Sequence, residues 1–191
     1  MRELSLHILD IAENSVSAKA KNITIEIVED TKADLLKLSV QDDGRGMDSE
    51  MLVKVVDPFV TSRTTRKVGL GIPLLKAAAE ECNGSFEITS RIGEGTKLIV
   101  QFQHSHIDRM PLGDYTTTIL HLVIANPQVH WMFLYRYNDQ SFNFNDEPIK
   151  AELGGISMSE PLILNWIREM LESGIADAQN NSKAGHVSKT H

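Results

Sequence analysis

The fold of this chain is constrained most by the order in which helical and strand-type hydrophobic patterns follow one another. In residues 1–104, apolar residues recur at helical spacing in some segments and alternate with polar residues in others. The predicted elements are a helix, two strands, two helices and two strands, over residues 2–19, 23–28, 36–40, 48–56, 71–82, 85–91 and 96–103. Paired strands with helices on one face make a two-layer α+β sandwich.

The rest of the chain predicts a smaller unit. Two apolar runs, 116–125 and 129–137, flank a short turn and predict a β-hairpin. Residues 159–173 predict an amphipathic helix with Ser159 as N-cap and Gly174 at its end. The last residues are poor in apolar side chains and predict a disordered tail. We therefore predict a domain over 1–104, a hairpin-plus-helix appendage that docks a partner over 105–175, and a tail over 176–191.

Charge and cysteine content exclude several classes of function. The 191 residues include 19 basic and 26 acidic side chains, a formal net charge of −7, which argues against general binding to nucleic acid or a membrane surface. The N-terminal helix carries Glu3, Asp10 and Glu13, unlike a signal peptide, and no apolar run is long enough to span a bilayer. The single Cys82 excludes a disulfide framework. We expect a cytoplasmic protein.

The first motif with chemical meaning lies on the first predicted helix. Asp10 and Asn14 are four residues apart and so share one helix face. An amide oxygen is a hard, neutral ligand for Mg²⁺, and a nearby carboxylate can deprotonate a water or hydroxyl beside the metal. The alternative is an ordinary solvated helix face.

The second motif, Asp42-Asp43-Gly44-Arg45-Gly46, directly follows a strand. Its glycines permit backbone conformations that a Cβ would block and let a planar ring approach. A carboxylate there can accept a hydrogen bond from the exocyclic amine of adenine. The alternative is a plain acidic turn, a common use of Asp-Gly.

The third motif is a basic, hydroxyl-rich segment that leads into the second long helix. Arg63, Arg66 and Lys67 precede Gly69-Leu70-Gly71, which opens that helix. Backbone N–H groups at a helix N-terminus bind phosphate, and basic side chains add charge-assisted contacts. A Gly-x-Gly in isolation carries little information, so its position before a helix is what makes it informative. The run from Gly93 to Thr96, between two strands, predicts a glycine hairpin turn.

Together these motifs resemble the conserved boxes of the superfamily that comprises gyrase, heat-shock chaperone, histidine kinase and MutL ATPases. The N box resembles Asp10–Asn14, the G1 box Asp42, Gly44 and Gly46, the F box Asp57-Pro58-Phe59 with Thr61 and Arg63, the G2 box Gly69-Leu70-Gly71, and the last box Gly93-x-Gly95-Thr96. The run ENSVSAKA is similar to that of MutL-type ATPases, and histidine kinases commonly read S-x-x-G-x-G-T at the last box. The resemblance covers about residues 3–103 and implies the Bergerat ATP-binding fold.

The resemblance also implies roles for individual residues. Asn14 would bind Mg²⁺, Asp42 would read the adenine, Thr96 would support the adenine-side hydrogen bonds, and residues 61–69 would form a lid. The implied set for ATP is Asn14, Asp42, Gly44, Gly46, Thr61, Arg63, Lys67, Gly69, Leu70, Gly71 and Thr96, with Asn14 as the metal ligand and Asp10 as the catalytic base.

The chain departs from the superfamily pattern in three respects. The base position holds Asp10 where Glu is usual, which shortens the reach by one methylene and implies that hydrolysis or phosphotransfer is slow or lost. Lys67 replaces the first glycine of the longer kinase motif. No phosphoacceptor helix pair precedes the N box, so we expect no autophosphorylating sensor kinase of the usual layout. His7 is interpreted as a residue of the polar helix face, not a phosphoacceptor.

Three functions share this site and differ in the destination of the γ-phosphate. The first is an ATP-binding regulatory protein of histidine-kinase-like type that transfers the phosphate to a partner protein. The second is a hydrolysis-driven conformational switch of the MutL or gyrase kind, and the third is a non-catalytic ATP sensor. The sequence leaves a homodimer open. Because all the boxes precede residue 105, we expect a chain that ends there to fold and bind ATP.

Overall fold

The elements before residue 104 form where the sequence predicts them. The computed structural model describes residues 3–57 and 71–187, without the side chains of 183–187. The confirmed elements are α1 (Leu4–Ser17), β1 (Asn22–Asp30), β2 (Leu35–Asp42), α2 (Ser49–Val56), α3 (Gly71–Glu81), β3 (Ser85–Arg91) and β4 (Gly95–Gln103). Asp48 begins α2, since its side chain accepts the Met51 N–H at 2.7 Å.

Alternation along the strands produces the predicted two layers. Ile23, Ile25 and Ile27 of β1 are buried within the core that includes the helices, and each such burial contributes roughly 1.5–3 kcal/mol. The opposite face is polar, where Lys37 Nζ lies 2.7 Å from Glu26 Oε2. The two-layer α+β sandwich is therefore confirmed.

The second half of the chain differs from its prediction. Its elements are α4 (Tyr115–Ala125), β5 (His130–Tyr137), β6 (Gln140–Asn145), α5 (Asp146–Leu153) and α6 (Pro161–Val187). The predicted strand over 116–125 was wrong, because this segment is the helix α4. Asp114 accepts the Thr117 N–H at 2.9 Å, and the helix packs on α1 and α6. This cap and burial outweigh the weak strand propensity of the β-branched run. The hairpin partner of β5 is β6.

The predicted end of the last helix at Gly174 was also wrong. Helix α6 begins at Pro161, which was predicted to lie in its first turn, so the residue that precedes the helix is Glu160 and not the predicted cap Ser159. It continues past Gly174 through Val187, so the predicted tail is helical over most of its length. A Cβ on Gly174 would lie 2.2 Å from the Phe142 ring, which shows that this glycine permits close packing against β6.

The sheet continues across the predicted boundary at residue 104. The described residues form a six-stranded sheet in the order β3-β4-β2-β1-β5-β6. Strand β5 runs parallel to β1, whereas all other neighbours are antiparallel. Residues 1–104, hereafter the first region, and residues 105–187, the second region, thus share one sheet and one core.

The connector, residues 104–114, also ties the two regions together at the start of α1. Glu3, at the N-cap position, makes no side-chain cap. Instead, the N–H groups of Leu4 and Ser5 donate to the carbonyls of Pro111 and Leu112 at 3.0 and 2.8 Å. These bonds satisfy donors that a helix N-terminus otherwise leaves unpaired. Within the two described ranges, none of the helices combines the length and apolar character needed to cross a membrane.

Candidate nucleotide site

A polar stripe of His7, Asp10 and Asn14 runs along one side of α1. Exposure rises along it: His7 is 2% exposed, Asp10 is half-buried and Asn14 is exposed. The buried end lies against α3, because His7 Nδ1 is 3.2 Å from the Gly71 carbonyl oxygen. His7 was interpreted as a residue of a polar, solvated face, and its burial contradicts that interpretation. Burial lowers the pKa of His7, which keeps the imidazole neutral.

Asp10 has an unusual environment for a carboxylate. Its Oδ2 is buried and has no hydrogen-bond partner among the described residues. Burial raises the pKa of Asp10, and the nearby His7 opposes that shift. A buried acceptor without a partner costs free energy, and such groups are concentrated at functional sites.

Asp42 lies at the end of β2 and is 8% exposed. Its carboxylate is oriented by two donors: Ser15 Oγ donates to Oδ2 at 2.6 Å, and the Gly44 N–H donates to Oδ1 at 2.8 Å. Each oxygen keeps a further lone pair for a ligand. Ser15 directly follows Asn14, so this bond places the helical turn that carries the predicted metal ligand beside the predicted adenine reader. The sequence analysis did not assign Ser15, although it stands within the quoted ENSVSAKA run.

The neighbouring Asp43 has a structural role. Its side chain is exposed and accepts the N–H groups of Lys21 and Asn22 at 2.7 and 2.9 Å. It therefore holds the turn after β2 against the start of β1. Only the first of the two adjacent aspartates faces the site.

Glycines let this turn lie against the β3–β4 turn. Gly46 has a φ of +65°, and a Cβ there would lie 1.8 Å from the Arg91 carbonyl oxygen. Gly95 has a φ of +100°, and its Cβ would lie 2.0 Å from the Asp42 carbonyl oxygen. Any larger residue at either position would force the two turns apart.

A cavity of about 570 Å³ opens beside Asp42 and Thr96, which face each other across β2 and β4. This volume is in the usual range for small-molecule sites. Ser90 supports its wall: its hydroxyl accepts the Met47 N–H, donates to the Gly95 carbonyl, and lies 2.9 Å from Thr96 Oγ1. Ser90 was also unassigned, although it occupies the serine position of the S-x-x-G-x-G-T pattern.

The structure thus connects part of the predicted set through α1, since Gly71 contacts this helix at His7 and Asp42 contacts it at Ser15. Of the predicted residues, Asp42 and Thr96 line the cavity, whereas Asp10, Asn14, Gly44, Gly46 and Gly71 are not part of its lining. Thr61, Arg63, Lys67, Gly69 and Leu70 fall outside the described residues, as does the predicted lid over 61–69. In the described part of the chain, no group of three or more His, Cys, Asp or Glu side chains could hold a metal ion.

Comparison with known proteins gives one family and several relatives. The family model "Histidine kinase-, DNA gyrase B-, and HSP90-like ATPase" matches residues 2–106. Sensor protein kinase FleS of Pseudomonas aeruginosa is 37% identical over 89 residues, which cover 47% of this chain and 22% of FleS. The non-motile and phage-resistance protein of Caulobacter vibrioides is 31% identical over 117 residues, covering 56% and 14%. Sporulation kinase C of Bacillus subtilis is 30% identical over 88 residues, covering 46% and 20%. The chain therefore spans only about a fifth or less of each of these proteins.

Solved structures extend the likeness in fold. The N-terminal domain of a DNA repair protein aligns with a TM-score of 0.51 and 14% identity, covering 76% of this chain and 52% of that one. The ADP-bound MutL ATPase domain of Aquifex aeolicus aligns with a TM-score of 0.49 and 16% identity, covering 91% and 70%. The first of these alignments shows a shared fold that reaches beyond the residues matched by the family model.

Proposed function

The chain belongs to the histidine kinase-, DNA gyrase B- and HSP90-like ATPase family, and from this premise we propose that it binds Mg-ATP and transfers the γ-phosphate to a partner protein. Its two-layer α+β sandwich is the fold of this family, as the sequence resemblance implied. The observation that carries the proposal is the buried carboxylate of Asp42, oriented by two donors in the wall of a cavity of about 570 Å³.

On the adenine side, Asp42 accepts from the exocyclic amine of the base. Because Ser15 and Gly44 already occupy one lone pair on each oxygen, the carboxylate keeps one orientation while retaining acceptor capacity. Gly44 and Gly46 let the backbone close tightly beside Asp42, since a Cβ on Gly44 would lie 3.0 Å from Asp42 Oδ1 and one on Gly46 would meet the Arg91 carbonyl oxygen. Thr96 adds a hydroxyl on the facing strand.

On the phosphate side, Asn14 holds Mg²⁺. Its exposed amide on α1 suits an ion that keeps most of its waters and takes further ligands from a nucleotide. When bound, Mg²⁺ neutralises charge on the phosphates. The N-terminus of α3 at Gly71 supplies backbone N–H groups for the same phosphates, and Arg63 and Lys67 stay predicted contacts.

Asp10 is proposed as the general base. A half-buried carboxylate with an unpartnered oxygen and a raised pKa can accept a proton from a hydroxyl or a water. Because Asp is one methylene shorter than the Glu usual at this position, the reaction is expected to be slow.

A conformational switch is the second candidate, in which the phosphate goes to water. The observation that favours it is the contact between α1 and the second region: α4 packs on α1, and the connector carbonyls cap its first turn. A ligand that moves α1 would therefore move the second region, where we propose that a partner docks. A sensor without turnover and a homodimer are outcomes of the same test.

The test uses γ-labelled ATP and Mg²⁺, with and without co-purifying proteins. The variants are Asp10→Asn, Asn14→Ala and Asp42→Ala, with Glu13→Gln as a matched control, since Glu13 is an exposed carboxylate on the same helix. We expect Asp42→Ala and Asn14→Ala to lose binding and Asp10→Asn to lose transfer only. Label on a partner supports a kinase, free phosphate supports the switch, and bound but unhydrolysed ATP supports a sensor. A wild-type protein that binds no Mg-ATP would overturn all three.

A further inference from the structure

We propose that His7 is a positioning residue that fixes the start of α3 against the Asp10–Asn14 part of the polar stripe. This inference rests on the proposed ATP site, because its consequence is the placement of the phosphate-binding helix end relative to the metal ligand and the base. It adds to the site a residue that none of the predicted motifs contains.

The first observation is that His7 is buried and paired over a long sequence distance. Its side chain is 2% exposed, and its Nδ1 lies 3.2 Å from the carbonyl oxygen of Gly71, 64 residues away. A carbonyl oxygen only accepts, so the neutral ring carries its proton on Nδ1 and donates it. A buried polar group needs such a partner, and this one ties two helices together.

The second observation is what each end of this hydrogen bond carries. Gly71 is the first residue of α3, and its carbonyl belongs to the first helical turn, whose N–H groups we propose to face the phosphates. His7, Asp10 and Asn14 occupy positions i, i+3 and i+7 of one helix, so they move as one body. This hydrogen bond therefore links the proposed phosphate-binding turn to the helix that carries both Asp10 and Asn14, in addition to the core packing of α3.

The third observation is the unpartnered Oδ2 of Asp10, one turn from His7. Because this oxygen has no hydrogen-bond partner among residues 3–57 and 71–187, the position of the proposed base depends on how its helix is held. Small displacements at such sites are costly, since a shift of about 1 Å can reduce rate about 100-fold.

The experiment compares His7→Leu, which removes the donor, with His7→Asn, whose side-chain amide nitrogen falls near the position of Nδ1. Mg-ATP and adenosine are titrated into each full-length variant by calorimetry. We expect His7→Leu to weaken Mg-ATP binding about tenfold, the effect of one lost hydrogen bond, and His7→Asn to restore most of it. Adenosine, which lacks phosphates, should bind within about twofold of wild type in both.

The matched control is Ser5→Ala: Ser5 is a buried polar residue of α1 whose hydroxyl donates to Glu3 Oε2 at 3.3 Å. It should leave Mg-ATP affinity unchanged. Wild-type affinity in His7→Leu, or an Asn variant as weak as the Leu variant, would overturn the proposal. If His7→Leu does not fold, the Asn variant decides: near wild-type affinity supports the role and a tenfold loss overturns it.

A second measurement separates this inference from the proposed function. Amide hydrogen exchange over residues 71–81 reports the tether without any nucleotide. Faster exchange in His7→Leu that returns to wild type in His7→Asn supports the positioning role even if the wild type binds no Mg-ATP. Equal exchange in all three proteins overturns it.

Discussion

The two regions of the molecule contribute differently to the candidate site and to the hydrophobic core. The first region holds every predicted nucleotide contact, from Asp10 to Thr96. The second region supplies three of the four largest fully buried side chains, Trp131, Phe133 and Tyr135. Its strand β5 pairs with the side of β1 that β2 leaves free, and its carbonyls at Pro111 and Leu112 cap the first turn of α1. The comparison teaches that the residues predicted to contact the nucleotide and many of those that hold the fold lie in different regions of one folded unit.

The largest expected effect is that of removing the second region. From the motifs alone, a chain ending near residue 105 was expected to fold and bind ATP. The structure gives reasons against this: such a chain would lose the strand beside β1, the cover of α1 and the cap of its first turn. We now expect it to be insoluble or unfolded, which amounts to losing the whole stability of about 5–15 kcal/mol.

Circular dichroism and thermal melting of the 1–105 chain, beside the full chain, decide this question. A cooperatively melting 1–105 chain that binds Mg-ATP would show that the first region is self-sufficient and would break the comparison.

The next effect tests the core contribution of the second region. Trp131 is 2% exposed, and Trp131→Ala should destabilise the protein by about 3–5 kcal/mol. The matched control is Trp166→Ala, since Trp166 is 47% exposed and should cost less than about 1 kcal/mol. Urea unfolding measures both. Equal losses in the two variants would contradict the assignment of the core to β5.

A smaller effect is expected where the two regions meet in a polar network. Tyr135 Oη donates to Glu29 Oε1 at 2.7 Å and accepts from Gln179 Nε2 at 2.7 Å. Burial raises the pKa of Tyr135, so the hydroxyl stays protonated and donating. Tyr135→Phe leaves both partners unsatisfied and should cost about 1–3 kcal/mol.

Tyr137→Phe, on the same strand, is the control for this network, and thermal melting compares the two variants. Tyr137 is only half-buried, so its replacement should change stability by less than about 0.5 kcal/mol. A Tyr135→Phe protein as stable as wild type would show that the network does not join the regions.

The smallest effect belongs to the first region and has the opposite sign. Because the folded-state pKa of Asp10 is raised, its protonated form favours folding at low pH, and that contribution is lost as pH rises through the folded-state pKa. Asp10→Asn stays neutral and should therefore be more stable than wild type near pH 7, by less than about 1 kcal/mol.

This gain should shrink as the pH falls towards 3.8, the ordinary pKa of the group. Melting temperatures measured across this range test the trend. A variant less stable than wild type at neutral pH would show that Asp10 serves the fold and not the chemistry.

Sequence reasoning reached the parts of the site that depend on local pattern. Asp42 with Gly44 and Gly46 could be predicted because an acidic residue and two glycines after a strand have a local meaning. The contacts of Ser15 and Ser90 could not, since a hydroxyl bond to Asp42 or Thr96 depends on which strands pair. Likewise, the burial of His7 depends on α3 packing over the polar stripe, which no periodicity in α1 encodes.

The fold was predictable to the same extent. The elements of the first region show clear helical or strand-type hydrophobic patterns. The run 116–125 starts with three threonines and is then mostly apolar, so its pattern does not separate helix from strand. Strand β6 was not predicted, because it is short and rich in polar residues. Gly174 was predicted to end the last helix. The sequence could not show that this glycine instead makes room for the Phe142 ring, because that is a tertiary contact.

The parallel pairing of β1 with β5 determines when β1 can gain its second neighbouring strand during synthesis of the protein. Strand β1 ends at Asp30, and its neighbour β5 ends only at Tyr137. On the ribosome, the nucleotide motifs emerge while one side of β1 is still unpaired, an arrangement that favours aggregation. Such long-range contacts also slow folding. The predicted nucleotide motifs, which end at Thr96, therefore emerge before β5, and β1 gains its second neighbouring strand only after more than a hundred residues beyond Asp30 have emerged.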